Sequence, residues 1–293
     1  YGGAKVSSII RTEHLTMTYG VNTPFEKVAV NYLNIEIMEG EFLGIIGHTG
    51  SGKSTLVQML NGLITPTTGK VLLRDKDINA NKKKLREVRF QVGMVFQYPE
   101  YQLFEETVYR DIAFGPTNMG LTGDELDKRV RESARFTGLK DKLLDKSPFD
   151  LSGGEKRRAA IAGVIAMDPD VLILDEPTAG LDPQGRDKLL NQILSYHKER
   201  KNTVILVSHS MEDIARVADR ILVMNKGNAE ILAPKRKVFA QGERLEKMGL
   251  RVPQITKITQ LLQKKGIDLP DGILTVEEAF NSIMTLLKKE GKV

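Results

Sequence analysis

The sequence predicts an α/β protein with a mostly parallel sheet that is covered by helices. Short apolar runs recur along the chain and end in glycine, acidic or other polar residues, as buried strands do. Helical stretches separate these runs, and strands that alternate with helices usually form parallel sheets. One apolar run leads directly into a glycine-rich loop that opens a helix, so the sheet is expected to carry a site at that edge.

Size and composition exclude several classes of protein. The chain has 293 residues, and its 41% hydrophobic and 28% charged residues are ordinary for a folded protein. It contains no cysteine, which excludes disulfides, zinc fingers, iron–sulfur sites and thiol nucleophiles. The net charge of +5 is too small to predict a nucleic-acid partner. No apolar signal segment opens the sequence, which favours a cytoplasmic location.

The N-terminal part, residues 8–75, is predicted to consist of strands with one helix. Ala29, Leu33, Ile35 and Ile37 fall on one side of an alternating run, which is typical of a strand. Buried strands are predicted at residues 42–46, 92–96, 171–174 and 203–207. Helices are predicted at about 123–138, 152–168, 183–200 and 211–218. Residues 220–232 are expected to form a closing hairpin.

After about residue 240 the pattern changes to two short amphipathic helices. The first starts at Pro253 and ends at Gly266, and Thr275 with Glu278 forms a capping-box pattern for the second. We therefore expect a main domain over residues 8–240, with a helical subdomain at about 98–165. The C-terminal helical extension over 241–293 carries no obvious catalytic group, and its role does not follow from the sequence.

The strongest functional signal is GHTGSGKST, residues 47–55, between a predicted strand and a predicted helix. Glycines in this loop let the backbone N–H groups point at phosphate oxygens, and the helix N-terminus adds partial positive charge. Lys53 is expected to reach the β- and γ-phosphates, and the Ser54 hydroxyl to ligate Mg²⁺. The complete predicted phosphate loop consists of Gly47, His48, Thr49, Gly50, Ser51, Gly52, Lys53, Ser54 and Thr55.

The second signal is VLILDEP, residues 171–177, an apolar strand that ends in two carboxylates. Asp175 is expected to hold Mg²⁺, directly or through water. Glu176 is expected to act as the base or to orient the attacking water. Asp-Glu-Pro also commonly ends a strand at a turn, so it is the phosphate loop that favours the catalytic interpretation.

The third signal is LSGGE, residues 151–155, which opens a long predicted helix. Ser152 and Glu155 have the spacing of a capping box, which is a purely structural explanation. Gly153 and Gly154 expose backbone amides at a helix start, which is also an anion site. The two interpretations are compatible.

In this order, the three motifs resemble those of the nucleotide-binding subunit of ATP-binding cassette (ABC) proteins. The resemblance covers about residues 8–240 and implies a P-loop NTPase fold of the ABC type, with a β-rich N-terminal subdomain and a helical subdomain. It implies hydrolysis of ATP to ADP and phosphate with Mg²⁺. In this family the LSGGE helix of one subunit closes over the ATP of another. Because the chain has one copy of each motif, a second ATPase subunit is implied, either identical or a paralogue.

The resemblance also assigns roles to single residues. Tyr19 matches the aromatic ring that stacks on adenine, with a core or edge tyrosine as the alternative. Gln97 matches the glutamine that senses Mg²⁺ and links to a membrane partner. Asp182 matches a loop that crosses between the subunits, and His209 matches the switch histidine at the γ-phosphate. Glu155 departs from the commonest family signature, which has Gln, and we expect activity to be retained.

A narrower resemblance rests on FQYPEYQLF, residues 96–104, followed by VYRDIAFGP. This segment is similar to the ATPase subunits of energy-coupling factor transporters, which import vitamins or transition-metal ions such as cobalt and nickel. The resemblance implies a peripheral location on the cytoplasmic face of the cell membrane, a membrane-embedded coupling subunit and, indirectly, a substrate-binding membrane subunit.

The same segment suggests where the coupling subunit docks. We expect a helix of that subunit to contact Tyr98, Tyr101, Leu103 and Phe104. The acidic residues Glu100, Glu105 and Glu106 are expected to attract basic residues of the docked helix. The alternative is that the segment packs onto the helical subdomain.

Two other functions remain open at this point. The chain could serve another ABC importer or exporter, although the tail is much shorter than that of sugar-importer ATPases. It could also be a soluble ABC ATPase that acts on DNA or ribosomes, but the sequence lacks the coiled-coil, zinc or tandem-cassette insertions usual in those proteins. We therefore expect no nucleic-acid partner, and the transported substrate does not follow from this chain.

Overall fold

A computed structural model of the chain describes residues 7–289 and contains two sheets. The first sheet is antiparallel and comes from the N-terminal part, with the order β2-β1-β5-β6 and β3 also paired with β1. Its strands are β1 (Ser8–Tyr19), β2 (Lys27–Leu33), β3 (Glu36–Met38), β5 (Thr68–Leu73) and β6 (Lys76–Asp77). The strand-rich N-terminal part predicted from the sequence is therefore confirmed.

The second sheet has the order β11-β10-β4-β9-β8-β7. Its strands are β4 (Phe42–Ile46), β7 (Val92–Val95), β8 (Val171–Asp175), β9 (Thr203–Val207), β10 (Arg220–Asn225) and β11 (Asn228–Pro234). All neighbours are parallel except the β10–β11 hairpin. Every residue of β4, β8 and β9 is buried, as expected for parallel strands covered on both faces.

Helices pack on both faces of this sheet, and three other helices form a separate layer beside it. They are α1 (Lys53–Leu60), α2 (Leu85–Gln91), α3 (Val108–Asn118), α4 (Gly123–Thr137), α5 (Gly153–Ile165), α6 (Pro183–Arg200), α7 (Met211–Val217), α8 (Lys235–Phe239), α9 (Gly242–Lys247), α10 (Gln254–Lys264) and α11 (Val276–Lys289). No helix of the described residues is long and apolar enough to cross a membrane.

The predicted alternation in the N-terminal part is wrong at one point. Val30, rather than Ala29, is fully buried, and Leu33 is the next buried residue of β2. Tyr32 lies between them with a left-handed φ of 48°. This irregular residue shifts the inward-facing side of the strand by one position, which strict alternation cannot represent.

The buried residues form separate cores that fix the sheet in place. Leu43 and Ile45 of β4 pack on the side of the antiparallel sheet, whereas Phe42 and Ile46 pack on the side of α6 and α7. The layer of α3, α4 and α5 has a core of its own. The strand that leads into the phosphate loop is thus held from both faces.

The C-terminal helices are docked onto the rest of the chain. Leu274 belongs to the main core, and Arg236 Nη2 lies 2.6 Å from Glu278 Oε1. The Thr275 hydroxyl accepts a hydrogen bond from the Glu278 N–H at 3.1 Å, as the capping pattern predicts. The Glu278 carboxylate, however, accepts from the Leu274 N–H instead of that of Thr275. Residues 290–293 of the predicted extension lie outside the described residues.

Candidate functional site

The site lies at the carboxyl edge of the parallel sheet. The phosphate loop follows β4, Glu176 follows β8, and His209 comes two residues after β9. Gln97 comes two residues after β7. Because these four strands are neighbours in the order β4-β9-β8-β7, residues more than 150 positions apart along the sequence converge at one edge. Ligand sites of open α/β sheets lie at this edge.

The phosphate loop depends on its glycines for steric reasons. Gly50 and Gly52 have left-handed φ angles of 79° and 100°. A Cβ on Gly52 would lie 2.2 Å from the carbonyl oxygen of Ala29, and one on Gly47 would lie 2.4 Å from that of Met224. Any larger residue at 47 or 52 would therefore displace the loop from strands β2 and β10, which contact it.

The remaining residues of the loop stabilise its shape. His48 Nε2 lies 3.1 Å from Asn225 Oδ1, and the Ser51 carbonyl accepts from the Gly227 N–H at 3.0 Å. The loop is thus attached to the β10–β11 turn. The Ser51 hydroxyl is buried and has no hydrogen-bond partner within residues 7–289.

Lys53 is the cation of the loop and is only 5% exposed. Its Nζ donates to the carbonyl oxygens of Gly47 at 2.8 Å and His48 at 3.1 Å. Burial lowers the pKa of Lys53, and the nearby carboxylates of Glu176 and Asp175 oppose that effect. The ammonium group is therefore held across the loop, where a phosphate would replace the carbonyl contacts.

Ser54 and Asp175 meet beside this lysine. Asp175 is buried, which raises its pKa, and a hydrogen bond with the Ser54 side chain opposes the shift. Within residues 7–289, no group of three or more His, Cys, Asp or Glu residues suited to a metal ion occurs. The hydroxyl and carboxylate oxygens nevertheless fit Mg²⁺, which usually takes one or two protein ligands together with substrate phosphates.

Glu176 is clamped between two side chains. Gln97 Nε2 donates to Glu176 Oε2 at 3.1 Å, and His209 Nε2 lies 2.7 Å from Glu176 Oε1. The Glu176 N–H donates to the Val207 carbonyl at 3.0 Å, and its backbone is left-handed with a φ of 52°. The Glu176 side chain remains 20% exposed, so it is not sealed from water while these contacts fix its direction.

Tyr19 lies at the end of β1, beside the phosphate loop. Its hydroxyl is 3.3 Å from Thr55 Oγ1, and its ring is 41% exposed, so it is not a core residue. Tyr19, Lys27 and Ala29 line a cavity of about 190 Å³ together with the loop. Sequence reasoning missed Lys27, although it is the cross-strand partner of Tyr19.

Ser152 and Glu155 form the predicted capping box at the start of α5. The Ser152 N–H and hydroxyl both donate to Glu155 Oε2, at 3.0 and 2.7 Å. These bonds hold the pKa of Glu155 below its usual range. A Cβ on Gly153 would meet nothing within 4 Å, so the helix start presents an open face.

Asp182 also caps a helix. Its Oδ1 accepts a hydrogen bond from the Gly185 N–H at 2.6 Å, in the first turn of α6. Within the described residues, neither Asp182 nor Ser152 forms a hydrogen bond to the phosphate loop. The chain alone therefore does not bring these two helix starts to its own loop.

The aromatic segment, residues 98–104, follows Gln97 and is largely open to solvent. Tyr101 is 85% and Phe104 60% exposed, and the Phe104 ring packs edge-on against Phe114 at 5.0 Å. Leu103 instead packs against the core of the α3–α5 layer. A groove of about 530 Å³ runs beside the segment, with Phe104, Phe114, Phe90 and Met167 among its walls.

The acidic residues in and just after this segment are predicted to be available to a partner, and this prediction is only partly correct. Glu100 pairs with Arg157 inside the chain at 2.7 Å, and Glu106 pairs with Arg110 at 2.5 Å. Glu105 forms no ion pair within residues 7–289. The carboxylate of Glu100 is therefore neutralised internally, and the sequence could not reveal this because Arg157 lies 57 residues away.

Comparison with known proteins gives a consistent result. Residues 30–179 match the ABC transporter family. The chain is 54% identical over 279 residues to the energy-coupling factor transporter ATP-binding protein EcfA2 of Caldanaerobacter subterraneus, covering 95% of this chain and 98% of the relative. It is 52% identical over 280 residues to EcfA2 of Clostridium perfringens, covering 95% and 98%.

Solved structures with the same fold extend this comparison. CbiO1 of Clostridium perfringens, part of the ABC transporter complex CbiONQ, is 39% identical with a TM-score of 0.73, covering 86% of this chain and 99% of that one. The ATP-binding cassette MJ0796, solved as a dimer in a post-hydrolysis state with ADP and phosphate, is 28% identical with a TM-score of 0.70. That match covers 77% of this chain and 98% of MJ0796.

Proposed function

This chain belongs to the ABC transporter family, and on that premise we propose that it powers an energy-coupling factor importer of vitamins or transition-metal ions. It is the ATP-binding and ATP-hydrolysing subunit, and it acts with a second ATPase subunit and a membrane component. The observation that carries the hydrolytic part of the proposal is that Gln97 and His209 hold Glu176 near Lys53 of the phosphate loop. The importer part rests on the likeness to EcfA2.

The chemical step is attack of water on the γ-phosphate. Glu176 orients this water or accepts its proton, and the hydrogen bond from Gln97 keeps the carboxylate in place. Lys53 and the backbone amides of the loop stabilise the charge on the β- and γ-phosphates. We assign His209 to the γ-phosphate, so its contact with Glu176 would link the nucleotide state to the position of the base.

We assign the metal ligands to Ser54 and Asp175. The Ser54 side chain lies close enough to lower the pKa of the buried Asp175 carboxyl, and Asp175 acts in turn on the cation of the loop, Lys53. Gln97 is the third residue of this group, and its amide now contacts Glu176. When Mg²⁺ is bound, it neutralises the phosphate charge that develops during transfer.

The second ATPase subunit completes the site. Ser152, Gly153, Gly154 and Glu155 are assigned to the phosphates of the partner's ATP, and Asp182 to the contact between the subunits. Tyr19 stacks on adenine in this proposal, at the cavity beside Thr55. What supports the assignment is that the α5 start is open and forms no hydrogen bond to the chain's own loop within the described residues.

The membrane subunit is assigned to the groove beside the aromatic segment. Leu103 and Phe104 line this groove, and Tyr98 and Tyr101 offer exposed rings in the same segment. The chain would then sit at the cytoplasmic face of the membrane as a peripheral subunit. In this division residues 8–240 form the cassette, with its helical subdomain at about 98–165, and residues 241–293 form the extension.

The test is reconstitution of the chain with its paralogous ATPase and membrane subunits in lipid vesicles. Uptake of a vitamin, or of cobalt or nickel ions, should require ATP on the cassette side and should stop with Glu176→Gln. A complex that hydrolyses ATP but never retains a membrane subunit would contradict the importer assignment. A complex that shows no ATP hydrolysis would contradict the catalytic one.

A further inference from the structure

We propose that Arg157 is a positioning residue that connects the aromatic segment to the loop carrying Glu176. The proposal rests on the proposed function, because it describes how docking of a membrane subunit reaches the site of hydrolysis. Arg157 lies on α5, five residues after Ser152, and its side chain is only 5% exposed. Within residues 7–289, the hydrogen bonds of its side chain go to neither the phosphate loop nor a residue assigned to the nucleotide.

The guanidinium connects α5, which carries it, to two other segments of the chain. Its Nε and Nη2 donate to the two carboxylate oxygens of Glu100 at 3.0 and 2.7 Å. Its Nη1 donates to the carbonyl oxygens of Pro177 at 3.3 Å and Ala179 at 2.5 Å. One side chain thus binds the aromatic segment, through Glu100, and the loop that begins directly after Glu176.

This link is charged and rigid. Burial, the largest single effect, would raise the pKa of Glu100, but the hydrogen bonds and charge of Arg157 together with a backbone hydrogen bond hold the pKa below its usual range. A bidentate arginine–carboxylate pair fixes both distance and direction, because the guanidinium is planar and its donors form a fork. A lysine could keep the charge, but it could not hold Glu100 and both carbonyls together.

The position of the link explains why it would matter for turnover. Glu100 lies three residues after Gln97 and one before Tyr101, at the surface assigned to the membrane subunit. Pro177 follows Glu176, whose backbone is left-handed and is held by hydrogen bonds to Val207 and Ala179. A displacement of the aromatic segment therefore moves Arg157, and Arg157 moves the loop that orients the Glu176 carboxylate.

The first experiment compares Glu100→Gln with Glu199→Gln in the complete complex. Glu199 pairs with Arg135 between two helices on the exposed surface, and because neither residue belongs to a motif it serves as the matched control. Glu100→Gln should lower uptake per ATP and the turnover stimulated by the membrane subunits about ten-fold, the size of one charged hydrogen bond. The KM for ATP and the unstimulated turnover should stay within about two-fold, and Glu199→Gln should change none of these.

The second experiment tests whether the two residues act together. Arg157→Lys should also lower stimulated turnover, with an unchanged KM for ATP. The double variant Glu100→Gln/Arg157→Lys should be no worse than the more affected single variant, because both changes break the same link. Additive losses would show that the residues act separately and would overturn the proposal.

The decisive result does not depend on the folding of the arginine variant. A folded Glu100→Gln complex with wild-type uptake per ATP and wild-type stimulation would overturn the inference, whatever Arg157→Lys does. A wild-type complex without ATP-dependent uptake would instead refute the proposed function. The two failures are therefore distinguishable from the same set of measurements.

Discussion

His209 Nε2 and Glu176 Oε1 lie 2.7 Å apart, so the imidazole and the carboxylate that end two neighbouring strands form a direct contact. Glu176 also receives a hydrogen bond from Gln97 on its other oxygen. Both carboxylate oxygens of Glu176 are therefore in contact with other side chains of this chain. Binding of a γ-phosphate near His209 would compete for this contact and would change the freedom of the base.

Glu176→Gln should retain ATP binding but lower turnover by about 10²–10⁴-fold, the usual contribution of a positioned base. The amide keeps the shape of the side chain, so its neighbours are not displaced. Phosphate release and the affinity for a fluorescent nucleotide would be measured together. Lys53→Ala is the contrasting variant, because it should weaken nucleotide binding itself. Wild-type turnover in folded Glu176→Gln would remove this residue from the chemistry.

ATP should trap a closed pair of ATPase subunits when hydrolysis is blocked by Glu176→Gln. Ser152→Arg should prevent this closure, since it puts bulk and charge on the open face of α5. Sedimentation with and without Mg-ATP would measure the pair, using this chain alone and with its paralogue. Unaltered closure of the Ser152→Arg protein would contradict the role assigned to residues 152–155.

Glu155→Gln should strengthen ATP-driven pairing by roughly two- to five-fold, the effect of one exposed charge. The amide oxygen can still accept the N–H of Ser152, so the helix cap is preserved. The change removes the negative charge of a carboxylate that would face the partner's phosphates in the proposed pair and that accepts the Ser152 hydroxyl. Titration of ATP against the sedimentation of the pair would measure it, and weaker pairing would show that the carboxylate assists closure.

Tyr101→Asp should abolish co-purification with the membrane subunit and leave nucleotide affinity unchanged. Its ring is exposed, so the variant should keep its melting temperature within a few degrees. Leu103→Asp should also prevent assembly, but it should lower the melting temperature because Leu103 packs against the α3–α5 core. A Tyr101→Asp protein that still assembles and supports uptake would remove this ring from the interface.

Glu278→Gln should destabilise the chain slightly at neutral pH, by less than about 1 kcal/mol because solvent screens the half-exposed pair with Arg236. Burial would raise the pKa of Glu278, but the Leu274 N–H and Arg236 hold it below its usual range. The stabilisation is therefore present above the unfolded-state pKa and is lost as the pH falls through the lower folded-state pKa. The melting temperatures of wild type and Glu278→Gln should converge as the pH is lowered. Glu277→Gln, which changes an exposed neighbouring residue, is the control and should match wild type at every pH.

The parts of the fold that sequence reasoning found are those with a repeated local signal. The strand at 203–207 and the helix from Pro183 to Arg200 have the predicted bounds, because the strand is a short run of buried, mostly apolar residues and the helix, with 18 residues, is long enough to show a helical period. The sequence does not predict helices α2, α8 and α9, because five to seven residues are too few to reveal a helical period. Helix α3 contains Pro116, which obscured it.

The residues of the site also divide into those with a local sequence signal and those without one. Lys53, Asp175, Glu176 and His209 could be picked out because motif chemistry is concentrated at loop and strand ends. The contacts that orient Glu176 could not, since the Gln97 amide comes from 79 residues away. Arg157 gave no signal at all, as its partners lie 57 residues before it and 20 to 22 residues after it.

The strand order also determines how this protein can be made. Strand β4 lies between β10 and β9, so its neighbours are synthesised long after it, and the Phe42 N–H bonds to a carboxylate 177 residues further on. During translation, β4 therefore has neither of its neighbouring strands to pair with until β9 and β10, near the end of the cassette, have left the ribosome. Such late, non-local pairing is slow and exposes the nascent chain to aggregation. Truncated or stalled chains that end before β9 should therefore be insoluble, whereas the chain extended through β11 can close its sheet.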